Sequence, residues 1–110
     1  MNQPEFISIY VTVRDIQEAE AIADHLIRSE LAACVNIIPG VQSIYQWQGG
    51  LCHDREVVMF VKTGMTKYAE AAAAIKSKHS YETPCILALP IQDGYKPYLD
   101  WMRSNISNDR

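Results

Sequence analysis

The sequence lacks the excess of positive charge that proteins carry when they bind nucleic acids. Its 110 residues include 10 lysine and arginine residues against 13 aspartate and glutamate residues, which gives a formal net charge of −3. It contains neither a run of basic residues nor a stretch in which basic and aromatic residues alternate. Because both features mark nucleic-acid interfaces, we predict no nucleic-acid partner.

Long apolar runs and cysteine pairs are also missing. No segment approaches the length of a membrane-spanning helix, and the N-terminal segment does not have the pattern of a signal peptide. Cys34, Cys52 and Cys85 are odd in number, widely spaced and without a C-x-x-C pair, which excludes a disulfide framework and a zinc ribbon. Free thiols suit a reducing compartment, so we predict a cytoplasmic protein without a membrane partner.

The common catalytic motifs are absent as well. The sequence has no G-x-S-x-G, no phosphate-binding P-loop and no G-x-G-x-x-G, and no nucleophile stands in an evident pairing with a base. We therefore predict a protein that is not an enzyme, with no catalytic residue and no organic cofactor.

What the sequence does contain is one very long strand, from Leu31 to Gln48. From Val41 onward alternate residues fall on opposite faces, Gly49-Gly50 allows a tight reversal, and a second strand returns over Glu56–Lys62. At roughly 3.3 Å per residue a straight strand of this length is too long for a domain of this size. We therefore predict that Pro39-Gly40 bends it and that its aromatic end lies past the edge of the domain's own core. We predict a long β-hairpin whose aromatic end is covered by another subunit. The alternative is two ordinary strands joined by a Pro-Gly loop.

The remaining segments predict an α+β domain that spans residues 1–110. They are a strand over Glu5–Val13, a helix capped by Asp15 and ending near Ser29, a helix over Thr66–Lys78, a short strand over Pro84–Ile91, and a C-terminal helix with Pro97 in its first turn. In that last helix we expect a buried stripe of Tyr95, Tyr98, Leu99, Met102 and Ile106, followed by a frayed tail over residues 107–110.

The order βαββαβ indicates a ferredoxin-like, split βαβ antiparallel sheet with a helix added at the C-terminus. In this topology the first and third strands are central, so the long strand lies at an edge. An exposed edge of that length invites pairing with another chain, and we predict an oligomer assembled through the hairpin.

Residues Lys78–Cys85 form the densest cluster of groups capable of chemistry. His79, Glu82 and Cys85 are the candidate metal ligands, because imidazole, carboxylate and thiolate bind copper or zinc. Acid-base catalysis is one alternative, and a structural role is the other. His79 would then interact with a helix C-terminus, while Thr83-Pro84 directs the chain into the last strand.

Two weaker candidates lie on the hairpin. If Lys62 faces an intersubunit cleft with Trp47 and Tyr45, it would bind a small anionic effector there. The alternative is that Lys62 merely ends a strand. The segment 52–54, Cys-His-Asp, is predicted to be an exposed loop rather than a metal site.

Three separated segments resemble the CutA divalent-cation tolerance proteins, and together they span essentially the whole chain. They are LAACVNIIPGVQSIYQWQG with the following EVVMFVKT, then HSYETPCILALPI, and finally YLDWM in the last helix. The resemblance implies a ferredoxin-like homotrimer in which extended hairpins pair between subunits, a shape shared with the PII signalling proteins. It also implies a role in tolerance of copper and other divalent metals, with weak binding of Cu(II).

The family's proposed metal ligands are a cysteine, a histidine and a glutamate, and the corresponding positions here hold Val11, Lys78 and Cys85. His79 matches a histidine next to the ligand position. The family pattern places a further set of residues around the intersubunit cleft: Tyr45, Trp47, Lys62, His79, Tyr81, Pro84, Tyr98 and Trp101. The alternative function is that of a PII-like signalling or scaffolding trimer that binds a small anionic effector or an unknown protein partner.

Overall fold

The structure, a computed structural model, describes residues 3–106. In chain order its elements are β1 (Phe6–Val13), α1 (Ile16–Arg28), β2 (Cys34–Trp47), β3 (Gly50–Gly64), a 3-10 turn (Met65–Lys67), α2 (Tyr68–Lys78), β4 (Ile86–Ile91) and α3 (Lys96–Ile106). The four strands form an antiparallel sheet in the order β2-β3-β1-β4. The predicted ferredoxin-like arrangement, with the first and third strands central, is confirmed. The tail over residues 107–110 lies outside the described residues.

The two faces of the sheet differ in how they are covered. Ile7, Ile9, Val11 and Val13 of β1 are buried in the main core, together with residues from α1 and α2. The opposite face carries Ser8, Tyr10 and Thr12, and we call it the open face. On that side α3 packs over one end of the sheet, where Met102 and Ile106 form a smaller cluster with Phe6 and Tyr98 contacts Lys62. The rest of the open face has no helix over it in the described part of the chain.

The start of α1 follows the predicted capping pattern. The side chain of Asp15 accepts a hydrogen bond from the Glu18 N–H at 2.8 Å, as an N-cap residue does. The Glu18 carboxylate accepts in return from the Arg14 N–H at 3.0 Å, one residue before the cap. This variant of a capping box leaves the second Glu18 oxygen available for a contact outside the helix.

The hairpin is continuous, and Pro39-Gly40 bends it without interrupting it. β2 pairs with β3 from Cys34 opposite Lys62 to Trp47 opposite Gly50, with a register shift between Ile38 and Val41. Gly40 has a φ of 80°, which suits glycine at a bulge. The predicted bent long strand is confirmed, and the alternative of two strands with a loop between them is wrong.

Several predicted bounds differ from the structure. β2 begins at Cys34 rather than Leu31, and the three residues before it are buried but precede the strand. β3 begins at Gly50 rather than Glu56, because its polar first half is paired with β2 and pairing, not intrinsic propensity, decides strand formation there. Residues 52–54 therefore lie in a strand and not in a loop. The tight turn is centred on Gln48 and Gly49, which have positive φ angles, one residue earlier than predicted.

The C-terminal helix is buried along a narrower stripe than predicted. Met102 and Ile106 are buried, but Tyr95 precedes the helix and is 77% exposed. The Tyr95 carbonyl instead accepts hydrogen bonds from the first turn of α3. Arg103 fixes the other end of the helix by donating to both carboxylate oxygens of Glu5, at 2.7 and 2.9 Å. Among the described residues, no helix is both long enough and apolar enough to cross a membrane.

Candidate functional site

A pocket of about 580 Å³ lies on the open face, between the hairpin and the segment that connects α2 to β4. Its lining residues are Tyr10, Thr12, Ser43, Tyr45, Trp47, Asp54, Glu56, Tyr81, Glu82, Thr83 and Cys85. Three of these carry carboxylates, four are aromatic, and none is a lysine, arginine or histidine. We call it the acidic pocket. Its charge suits a cationic ligand.

The hairpin register explains why β3 contributes two carboxylates to one side. Asp54 lies opposite Ser43, and Glu56 lies opposite Val41. Residues two apart on a strand share a face, and directly opposed residues share it too, so both side chains are on the same side as Tyr45 and Trp47. Sequence reasoning missed Asp54 and Glu56, because it took the strand to begin at Glu56. Extending the period-two alternation back through Asp54 would have found them.

Glu56, which is buried, and Tyr81, which is partly buried, form a pair at the inner wall of the pocket. The Tyr81 hydroxyl donates a hydrogen bond to Glu56 Oε2 at 2.7 Å, and Glu56 is only 6% exposed. Burial, and then the hydrogen bond to the Glu56 carboxylate, raise the pKa of Tyr81 well above its usual value. The phenol therefore stays protonated and continues to donate to Glu56 at any physiological pH.

Tyr45 and Asp54 form a second pair of the same kind further along the hairpin. The Tyr45 hydroxyl donates to Asp54 Oδ2. This hydrogen bond, followed by desolvation and the nearby Asp54 charge, raises the pKa of Tyr45 to about 12. In both pairs a phenol hydroxyl donates a hydrogen bond to one oxygen of a carboxyl group.

His79, a predicted metal ligand, lies behind the pocket with its side chain fully buried. Its Nε2 is 2.8 Å from the Thr12 carbonyl oxygen, and its Nδ1 is 3.1 Å from the Tyr81 amide nitrogen. Because a carbonyl can only accept and an amide N–H can only donate, Nε2 carries the proton and Nδ1 accepts. Both ring nitrogens of this neutral imidazole are therefore bonded to the backbone of the chain.

Glu18 attaches the same connecting segment to α1. Its carboxylate accepts from the Ser80 N–H at 2.6 Å and from the Ser80 hydroxyl at 3.1 Å. Burial acts to raise the pKa of Glu18, but the hydrogen bonds from Arg14 and Ser80 together outweigh it and lower that pKa. The cap of α1 and the position of residues 79–81 thus depend on one side chain.

The other two predicted ligands, Glu82 and Cys85, both line the acidic pocket. Glu82 is exposed, and Cys85 is partly buried. Burial, and then the Glu56 charge, raise the pKa of the Cys85 thiol, which favours the protonated form. Within residues 3–106, no three side chains of His, Cys, Asp or Glu lie close enough together to hold a metal ion.

Lys62 does not share the acidic pocket with Tyr45 and Trp47. Its Nζ donates to the Tyr98 hydroxyl at 3.2 Å and lies 5.2 Å from the centre of that ring. Trp47 pairs with Gly50 at the far end of β3, whereas Lys62 pairs with Cys34 at the other end. At roughly 3.3 Å per residue, Lys62 and Gly50 are about 40 Å apart along the strand. One protomer therefore does not bring Lys62 and Trp47 together in a single cleft.

Comparisons with known proteins agree in sequence and in fold. The model of a family described as CutA1 divalent ion tolerance protein matches residues 7–105. The divalent-cation tolerance protein CutA of Archaeoglobus fulgidus is 45% identical over 98 residues, which cover 89% of this chain and 95% of that protein. Its counterpart in Thermus thermophilus is 43% identical over 97 residues, which cover 88% and 94% of the two chains.

Solved structures extend the comparison to three dimensions. The structure of the protein from Archaeoglobus fulgidus, described as the periplasmic divalent cation tolerance protein CutA, matches with a TM-score of 0.90 at 43% identity. The match covers 93% of this chain and 99% of that one. The family resemblance predicted from the three sequence segments is confirmed.

Proposed function

This chain belongs to the CutA1 divalent ion tolerance protein family, and from that membership we propose that it binds Cu(II) or a related divalent cation weakly in the acidic pocket. The observation that carries the proposal is the composition of the pocket wall. Three carboxylates and one thiol line it, and no lysine, arginine or histidine does. Carboxylate oxygens are ligands for divalent ions in general, and a thiol favours copper and zinc.

Glu82 and Cys85 are the proposed ligands. A pocket of about 580 Å³ is far larger than one ion, and no three donors converge in the described residues. Such a site fits an ion that keeps part of its water shell, and binding is accordingly weak. His79 would have to give up a backbone hydrogen bond to bind metal, so we propose that it positions the segment that carries Glu82 and Cys85.

We also propose that the protein is a homotrimer assembled through the hairpin. Trp47 is 46% exposed at its far end, and the open face presents Ile38, Leu87 and Leu89 to solvent in a single protomer. Exposed large apolar side chains at both edges of this face and at the end of the hairpin support burial against other copies of the chain. The edge of β2, which has no strand beyond it in the described sheet, supports the same arrangement.

The proposed role is one of binding and not catalysis, and the proposed location is the cytoplasm. All three cysteines are free, which supports a reducing compartment. Cell fractionation tests the location directly, since recovery in a periplasmic fraction would contradict it.

The metal proposal is tested by calorimetric titration of metal-free protein with Cu(II), combined with native mass spectrometry that reports subunit number and bound ions together. We expect saturable binding that weakens in Glu82→Gln and in Cys85→Ser. Glu70→Gln is the matched control, because Glu70 is exposed on α2 and outside the pocket. Absence of saturable binding, or equal binding in all three variants, would remove the ligand assignment.

A further inference from the structure

Asp93 and Gly94 lie in the irregular segment 92–95, which connects β4 to α3. Both residues are exposed. The segment begins after Ile91, which pairs with Phe6 at the end of the sheet away from the hairpin turn. Neither residue lines the acidic pocket. This dipeptide is therefore open to water, and its chemistry is independent of the proposed metal site.

The Asp93 side chain is held against the amide of the next residue. The Gly94 N–H donates a hydrogen bond to Asp93 Oδ1 at 2.8 Å, and this is its one hydrogen bond within residues 3–106. Because Oδ1 is bonded to the carboxyl carbon Cγ, the contact keeps the Gly94 nitrogen beside Cγ. Two groups held side by side in this way react far faster than groups that must first meet. The geometry favours attack of this backbone nitrogen on the side-chain carboxyl group.

Glycine at position 94 leaves that approach unobstructed. It has no Cβ beside its own nitrogen, and its backbone adopts conformations that other residues avoid. Asp24 and Asp100 are also exposed, but they lie within α1 and α3, where the amide that follows each belongs to the helical hydrogen-bond ladder. Of these three exposed aspartates, only Asp93 combines a following glycine with an irregular backbone.

We propose that Asp93-Gly94 is a site of spontaneous isoaspartate formation. The Gly94 nitrogen forms a bond to Cγ of the protonated Asp93 carboxyl group, the C–OH bond breaks, and the amide proton leaves with the hydroxyl group as water. The product is a five-membered succinimide. Water then opens the ring at one of two bonds. Cleavage between the nitrogen and Cγ restores aspartate, whereas cleavage between the nitrogen and the main-chain carbonyl carbon gives isoaspartate, whose backbone runs through Cγ. Water is the only co-reactant.

Isoaspartate lengthens the backbone by one carbon atom at the point where α3 is attached to the sheet. Leu99 packs on Gly94, since an added Cβ at that glycine would lie 3.1 Å from Leu99 Cδ2. The Tyr95 carbonyl accepts hydrogen bonds from the first turn of α3. Both contacts depend on the length of the segment. The modified chain therefore holds α3 less firmly over Phe6, and amide hydrogen exchange in this helix becomes faster.

Peptide mapping of aged protein tests the assignment. We expect the full chain, kept for several weeks in warm, mildly acidic buffer, to accumulate isoaspartate at position 93, with an intermediate lighter by one water molecule. Because the isomer has the same mass as the original peptide, methylation by an isoaspartyl methyltransferase with labelled S-adenosylmethionine detects it. Asp24 and Asp100 in the same digest are internal controls and should remain aspartate. Asp93→Glu should give at least about tenfold less product, because its ring closure would require a six-membered imide.

The same aged samples test the effect on α3. Hydrogen exchange in α3 should become faster on ageing in the unmodified protein but not in Asp93→Glu, and Asp24→Glu should age as the unmodified protein does. Three results would overturn the proposal: no isoaspartate at position 93, equal conversion at Asp24 or Asp100, or equal product in Asp93→Glu. Isoaspartate at position 93 with unchanged exchange in α3 would overturn the inferred loosening of the helix.

Discussion

The imidazole of His79 lies against the backbone of Thr12, with Nε2 2.8 Å from the carbonyl oxygen. Thr12 is part of the central strand β1, and His79 ends α2. This hydrogen bond therefore attaches the connection between α2 and β4 to the middle of the sheet. The same connection carries Tyr81, Glu82 and Cys85 into the acidic pocket.

Replacing His79 by alanine should lower the free energy of unfolding by about 2 to 4 kcal/mol, because two backbone groups lose their partners and a cavity is left. Urea-induced unfolding at one fixed protein concentration measures the change. His25→Ala is the matched control, since the His25 side chain has no hydrogen-bond partner among the described residues. A loss below about 0.5 kcal/mol in His79→Ala would show that the ring does not hold the segment.

Glu18 should make stability depend on pH in the acidic range. Its pKa in the folded protein is lowered from the ordinary value of 4.5, so its contribution to stability is present above that value and is lost as the pH falls through the lower, folded value. We expect the urea midpoint of Glu18→Gln to fall less steeply below pH 4.5 than that of the unmodified protein. Glu70→Gln is the control. Parallel curves for Glu18→Gln and the unmodified protein would contradict the shift.

Tyr45 should ionise near pH 12. Its hydroxyl donates to the Asp54 carboxylate, and that hydrogen bond and the charge beside it disfavour a negative charge on the phenol. Removing that charge in Asp54→Asn should lower the pKa of Tyr45 toward its ordinary value of 10.0. Alkaline difference spectra of the tyrosinate band, taken against Tyr45→Phe, isolate this residue. Asp93→Asn, in the loop before α3, should change nothing.

Gly40→Ala should destabilise the protein by about 1 kcal/mol, entirely through the backbone. Gly40 has a φ of 80°, yet an added Cβ would meet no atom within 4 Å. Gly50 offers the comparison on the same hairpin, since its φ is not in the left-handed region and the nearest atom to an added Cβ is 3.8 Å away. Equal unfolding free energies for Gly40→Ala and Gly50→Ala would exclude strain at the bulge.

Thr63→Val should be neutral or should stabilise the protein by about 1 kcal/mol. Thr63 is fully buried on β3, and its hydroxyl oxygen has no hydrogen-bond partner within residues 3–106. Valine keeps the shape and removes the unsatisfied group. Thr63→Ser keeps the hydroxyl and removes a methyl group, so it should destabilise instead. If Thr63→Val is the less stable of the two in thermal unfolding, the hydroxyl is hydrogen-bonded in solution.

The fold could be predicted from the sequence because the short-range signals for strands, caps and bends agree with the order of the elements along the chain. The alternation in β1, the Asp15 cap and the Pro39-Gly40 bend each act within a few residues, and the element order then selects the sheet. The first half of β3 could not be predicted. Its polar residues have low strand propensity, and they form a strand only because β2 lies beside them.

Only part of the candidate site could be predicted, for a related reason. Glu82, Cys85, Tyr45 and Trp47 were identified by residue type and lie together in the pocket. Asp54 and Glu56 were missed, because they reach the pocket through the register of the hairpin. Nothing in the sequence indicates that His79 uses both nitrogens on the backbone, since Thr12 is 67 residues away.

The alternation of side chains along the hairpin restricts which insertions and deletions it can accept. Removing one residue between Val41 and Tyr45 would turn Tyr45 and Trp47 to the other side of the ribbon, away from Asp54 and Glu56. Removing one opposed pair next to the turn at Gln48-Gly49 shortens the ribbon and keeps every remaining side chain on its own side. The arm can therefore change length in matched pairs while Tyr45 stays on the side of Asp54 and Glu56, but trimming the outermost pair, Trp47 with Gly50, removes one wall of the pocket.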